Sequence, residues 1–291
     1  MITSLSTLDA LISLLDDQDE LVIRSVKEKL LSLGSEVLPR LEDSLLLAES
    51  TDHAKKLEEI ISSLKKEILI DRMRGWISSE KRTLLEGWLL VSSVHHPSIS
   101  KEKIESSIQK IYREVWLEIT ESMTSLEKVA VINHMLFRVN NFDISNNDIP
   151  QADNIIADKL LFSKMGNVYS LTILYLIIAR SLHLDLTPIM LANKLLLVYE
   201  DSLAASLAYG SPSDKYLFYI NVAHRGSVIS PKEVQFLYDK SHKYGKITTR
   251  IETDISLIKK LLNLLYLTYI NEGEQDKLLL TEDLLSLLEL Y

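Results

Sequence analysis

The sequence predicts an α+β fold, predominantly helical: a helical N-terminal bundle, a core in which a small antiparallel sheet packs on one apolar helix, and a closing helical hairpin. Three observations predict it. Hydrophobic residues make up 46% of the 291 positions, and only eight Gly and six Pro interrupt them, as in a compact helix-rich chain. Apolar residues recur at helical spacing through the first half of the chain. Between Leu186 and Ile229 the period changes to the alternation of half-buried strands.

Leu8, Leu11 and Leu15, then Val22, Val26, Leu30 and Leu33, then Val37, Leu38, Leu41 and Leu45 trace the first helices. Asp16, Asp17 and Asp19 supply a turn and an N-cap, Gly34 a stop, and Ser35 the next cap. This paired-helix unit resembles one HEAT-type repeat. No second copy follows at a matching period, so a solenoid is not expected. Further amphipathic helices are expected over 52–77, 82–94, 101–119 and 124–139. His95, His96 and Pro97 force one break, and Thr124 with Glu127 forms a capping box. Trp76, Trp88 and Trp116 lie among apolar positions and are expected as core anchors. The polar run from Asn140 to Pro150 is the strongest boundary in the chain. A short helix, Ile155 to Phe162, precedes the long helix opened by Gly166 and Asn167. Strands are expected at 186–191, 194–199, 216–220 and 227–229, with a turn at 210–214; helices return at 231–239, 254–271 and 276–290. Three regions result: a helical N-terminal region (1–125), the mixed core (126–245) and the hairpin (246–291).

Composition narrows the function. A net charge of −9 and a pI near 5.4 disfavour nucleic acid, because phosphate binding needs clustered Lys and Arg. With no cysteine there is no disulfide, no thiolate zinc site and no thiol nucleophile. His95 and His96 are adjacent, and chain neighbours rarely converge on one ion; no other metal-ligand spacing and no phosphate-binding loop occurs. Neither metal nor cofactor is expected. The largely apolar stretch from Leu171 to Ala179 is about half of a membrane span, and the N-terminus lacks a signal-peptide pattern. The expectation is a cytoplasmic protein with protein or peptide partners and no membrane contact.

Several stretches, in the right order, resemble the bacterial SirB-type transglutaminase-like family. Gly166, Asn167, Val168, Tyr169, Ser170 and Leu171, then Leu174 and Tyr175, then Ala179 to Leu184 are similar to its "Gly-Asn-Pro-x-Ser-Leu … Leu-Tyr … Ala-Arg-x-Leu-Gly-Leu" helix. Leu136, Phe137, Asn141, Phe142, Asn146 and Asp148 match its opening. Leu191 to Leu196 stand at "Leu-Pro-Gly-His-Phe-Leu", and Ile220 to Gly226 at "Ile-Asp-Pro-Phe … Gly". Leu261 to Tyr266 with Gly273 match its closing hairpin, a tetratricopeptide-like segment. The resemblance implies a papain-like core with a Cys opening the helix, a His on the next strand and an Asp on the one after. Those positions hold Val168, Lys194 and Asn221.

Acyl transfer of that type requires a nucleophile, a base that activates it and a carboxylate that orients the base. Val168 offers no nucleophile. Lys194 is a base only if burial depresses its pKa, and Asn221 carries no charge. Asn167, Tyr169, Ser170, Asn193 and His224 remain as candidate cleft residues. Ser170 could pair with Lys194 in a rebuilt Ser–Lys site. Residues 168 and 170 are about 200° apart on a helix, however, so Ser170 faces away from the old cleft and a capping hydroxyl competes with that reading. The leading expectation is a pseudoenzyme serving as a protein- or peptide-binding scaffold. A hydrolase or acyltransferase with a displaced Ser–Lys site and a structural subunit of a homo-oligomer are the alternatives.

Overall fold

The structure, a computed structural model, describes residues 5–48, 50–145, 149–191, 193–210, 215–242 and 249–289, with backbone alone for residues 5, 6, 237–242 and 249. The chain forms two compact units, Met1–Ser78 and Ser79–Tyr291.

The first unit holds α1 (Leu5–Ser13), α2 (Glu20–Ser32), α3 (Leu38–Leu46) and α4 (Thr51–Ser78). Asp19 caps α2 as its sequence context predicts, its Oδ1 accepting the Leu21 amide at 2.8 Å. Gly34 takes φ +69° in the link to α3, a region where L side chains are strained. The apolar stripe read from the sequence becomes a core of Leu8, Ile12, Leu15, Val26, Leu30, Val37 and Leu41, closed by Leu57, Ile60, Ile61 and Leu64 of α4.

In the second unit, α5 (Leu84–His95), α6 (Lys101–Glu118) and α7 (Ser125–His134) precede α8 (Ala157–Ser163) and the central helix α9 (Val168–Ser181). Thr124 and Glu127 form the expected capping box on α7. The main sheet has the order β6-β5-β4-β3-β7, all antiparallel: β3 (Leu186–Leu191), β4 (Lys194–Glu200), β5 (Tyr216–Asn221), β6 (Ser227–Ile229) and β7 (Thr249–Ile251). One face packs on α9. The other buries Ile189, Leu191, Leu196, Val198 and Tyr219 with Val234 of α11 (Pro231–His242). A two-residue parallel pair, β1 (Asp143–Ile144) with β2 (Met165–Gly166), flanks the start of α9. The closing hairpin, α12 (Asp254–Glu272) and α13 (Gln275–Leu288), packs on α5, and α12 also on α9. The fold is thus α+β and predominantly helical.

Two differences from the expected elements have physical causes. A helix, α10 (Ser202–Tyr209), stands between β4 and β5, capped by Asp201 Oδ1 on the Ala204 amide and closed by Gly210 at φ +82°. The expected turn at 210–214 otherwise lies outside the described residues, as do Asn146 and Asp148. Trp88 is fully buried and Trp76 nearly so, but Trp116 is 56% exposed on α6 and is no core anchor. The stripe that buries Ile104, Ile108, Ile111 and Val115 turns position 116 toward solvent.

Candidate functional site

The site is best built from the start of α9. Asn167 is its N-cap, and Asn167 Oδ1 accepts the amides of Tyr169 (2.8 Å) and Ser170 (2.9 Å). Ser170 completes the cap. Its Oγ accepts the Asn167 amide at 3.0 Å and donates to the Asn154 carbonyl at 2.7 Å. The hydroxyl is buried, and its partners are Asn154 and Asn167 rather than any base. The two amides that could have stabilised an oxyanion are held by Asn167 instead.

Val168 is the first residue of α9 and is half-buried. Lys194 is the first residue of β4, directly after a tight turn in which Asn193 adopts φ +63°, and it is exposed. Leu191 pairs with Lys194 across that turn. Asn221 is the last residue of β5, only 8% exposed, and its carbonyl accepts the Gly226 amide at 3.0 Å. β4 and β5 are neighbours, and α9 packs on β4 and on the turn Val222–His224. Secondary structure therefore gathers the three positions on adjoining elements. No hydrogen bond or ion pair joins their side chains. His224 is exposed at the end of that turn.

What the fold does hold tightly is the support behind these positions. The Tyr175 hydroxyl, in the middle of α9 and fully buried, donates to Asn133 Oδ1 of α7 at 3.0 Å. Asn133 Nδ2 in turn donates to the Gly226 carbonyl at 2.7 Å. Gly226 has φ +73°, and a Cβ there would lie 1.9 Å from Asn133 Oδ1, so only glycine fits. Burial drives the Tyr175 phenol well above its ordinary range and keeps it a neutral donor. Arg225 pairs with Asp143 of β1, holding that carboxyl below its usual range through the hydrogen bond. A second set of bonds fixes the 154–157 segment against α5. Trp88 Nε1 donates to the Ile155 carbonyl at 2.8 Å, and the Ala157 amide donates to Ser92 Oγ at 2.9 Å.

Sequence reasoning missed Glu252, the residue just after β7. Its side chain is wholly buried; Oε1 accepts Arg250 Nε and Nη2 at 3.0 and 2.6 Å, while Oε2 has no partner among the described residues. The Tyr169 phenol is pushed up by burial and, secondly, by the Glu252 charge. No periodicity marks Glu252, because it sits in the two-residue link between β7 and α12, directly before the Thr253 cap.

The two adjacent histidines go to separate partners. His95 Nδ1 meets the Tyr269 hydroxyl at 3.1 Å and His96 Nδ1 meets Asp158 Oδ2 at 2.7 Å. No group of three or more His, Cys, Asp or Glu side chains gathers to hold a metal among the described residues. No described helix is long and apolar enough to cross a membrane.

No curated protein and no solved structure matches the chain at a significant level. The family comparison does give a match, and it spans α6 through the first half of α12, the elements that carry α9, the main sheet and the Asn133–Tyr175–Gly226 bonds. Residues 102–263, more than half of the chain, match the sequence model of the transglutaminase-like superfamily, and the chain belongs to that superfamily.

Proposed function

We propose that this chain is a non-catalytic, SirB-type member of the superfamily that works as a protein- or peptide-binding scaffold. One observation carries the reading: the hydroxyl nearest the inherited nucleophile position, Ser170 Oγ, serves as a structural cap. It gives its proton to the Asn154 carbonyl and takes the Asn167 amide, so no base stands ready to activate it. The chain has no cysteine, Val168 cannot attack a carbonyl, and Asn221 cannot stabilise an imidazolium. Lys194 lies exposed at a hairpin turn and is not among the hydrogen-bond partners of Ser170 Oγ.

Labelling with a fluorophosphonate probe, followed by peptide mapping, tests this. The expected outcome is no adduct at any serine of the native chain. An adduct at Ser170 that disappears in Lys194→Ala would establish a displaced Ser–Lys hydrolase or acyltransferase instead.

A further inference from the structure

The main sheet ends at β7. Among the described residues β3 lies on one side of that strand and no strand on the other. The Glu252 amide donates to the Pro188 carbonyl at 2.8 Å. Peptide groups of an antiparallel strand face alternate sides, residue by residue. Arg250 and Glu252 therefore turn theirs toward β3, and Ile251 turns its N–H and C=O to the open edge. We propose that this edge is a self-association surface: two copies of the chain pair antiparallel through β7, with Ile251 of each beside the two-fold axis. The two five-stranded sheets then become one. The inference does not depend on the non-catalytic reading above.

The residues flanking Ile251 select a second copy as the occupant. A two-fold centred there sets position 250 of each copy opposite position 252 of the other. Those positions hold Arg250 and Glu252, one cation and one carboxylate on the same face of the strand. Paired with itself, β7 meets an unlike charge at both places, whereas a uniformly acidic or basic strand would meet a like charge at one of them. Within one copy the carboxylate is only half satisfied. Arg250 Nε and Nη2 hold Glu252 Oε1 at 3.0 and 2.6 Å, and the buried Oε2 has no partner among the described residues. When the strands pair, the guanidinium of the second copy supplies the donor that Oε2 lacks, and the largely exposed Arg250 side chain shifts to admit it.

Ile251 is 55% exposed, although it lies opposite the buried Ile189 of β3. Across the axis it would meet Ile251 of the second copy, a β-branched pair at the centre of the joined ladder. Charged edge residues ordinarily keep foreign strands away; here the Arg–Glu order does so while admitting a copy of itself. The opposite edge of the sheet has no such code. β6 (Ser227–Ile229) carries no charge, so nothing there specifies an occupant. A strand pair this short buries less surface than a permanent dimer requires, so the association is reversible and grows with concentration.

Because the chain has no cysteine, a single introduced thiol reads the contact cleanly. Ile251→Cys would put two thiols directly opposite each other. Their Cα atoms would be about 5.5 Å apart, inside the disulfide range of about 4.4–6.8 Å. Sedimentation velocity of the native full-length chain over a concentration series is expected to show a monomer–dimer equilibrium. Mild oxidation should link the Ile251→Cys chain well before a Val228→Cys chain, whose thiol lies exposed on the other edge. Ile251→Lys and Ile251→Glu, both at an exposed side chain, should each weaken self-association about tenfold, and an equimolar mixture should restore it as a heterodimer. That rescue separates pairing through β7 from misfolding and from a dimer built elsewhere. A native chain monomeric at every concentration, a Val228→Cys chain that links as fast, or a mixture no more dimeric than its components would each overturn the proposal.

Discussion

The start of α9 and the bonds behind it have the same origin in the fold but opposite properties. At the three positions proposed as the inherited catalytic ones, Val168 is apolar, Lys194 extends into solvent and Asn221 carries no charge, with no hydrogen bond or ion pair among their side chains. A helical turn or two away, Tyr175, Asn133 and Gly226 form a chain of hydrogen bonds at 3.0 and 2.7 Å, and Ser170 bridges Asn167 to Asn154. Polar groups that catalyse must be poised for change, whereas polar groups that hold a fold together must be fully satisfied. The second set is joined by hydrogen bonds, and the first is not. On the proposed reading, a chain that loses the chemistry of a transglutaminase-like cleft keeps this frame because its bonded polar atoms are costly to strand.

The largest effect that could break this contrast is at Gly226. Gly226→Ala forces a Cβ against Asn133 Oδ1 in a backbone region that disfavours alanine, and should cost about 3 kcal/mol or more of stability. Urea denaturation followed by Trp88 emission measures it; an unchanged midpoint would mean the Asn133 bonds are not structural. Next, Ser170→Ala removes a buried hydroxyl that serves both Asn154 and Asn167 and leaves those groups unsatisfied, for about 1–3 kcal/mol. Tyr175→Phe deletes one donor only and should cost about 1 kcal/mol. Lys194→Ala, by contrast, should fall within about 0.5 kcal/mol of the native chain, as exposed changes do. A cost at Lys194 equal to that at Ser170 would erase the distinction between frame and vacated site.

A pH effect sharpens the picture at the hairpin. His95 has its pKa lowered, first by burial and then by the charges of Lys277 and His96, with Asp153 opposing and Lys159 adding to the shift. A histidine whose folded pKa lies below its unfolded value near 6.5 favours folding while neutral, so stability declines as pH falls below about 6.5 toward the folded pKa. Once His95 is protonated both ring nitrogens are donors, so in its contact with the Tyr269 hydroxyl Nδ1 can only donate. The effect is the smallest in this set, and a pH series of unfolding midpoints in the native chain and in His95→Gln should show it only in the former.

Much of the frame could be read from residue types. Gly166 and Asn167 before an apolar run mark the start of α9, and Ser170 caps that helix as the competing reading of its hydroxyl expects. Alternation gave β3, β4, β5 and β6 to within a residue. What escaped depends on partners far along the chain or on elements too short to show a period. Asn133 meets Gly226 across 93 positions, a contact no local pattern can announce. β1 and β2 have two residues each, below the length at which alternation is visible, and β7 pairs with β3 from about sixty positions along the chain. α10 carries signals, Asp201 before it and Gly210 after it, but its eight residues between two strands receive no element in the sequence reading. Trp116 shows the limit of reading burial from composition, since an apolar neighbourhood in sequence spans both faces of a helix.

The central claim, that the groove frame persists without its chemistry, is tested most directly by refilling it. Val168→Cys combined with Lys194→His and Asn221→Asp places a thiol at a helix N-terminus beside a histidine, both of which lower a thiol pKa. Iodoacetamide alkylation rates across about pH 5 to 9 read that pKa against the single Val168→Cys chain, whose thiol lacks the His and Asp. The account predicts that the triple variant's thiol titrates below both the single variant and the free-thiol value near 8.5. Superimposable titrations of the two would contradict it.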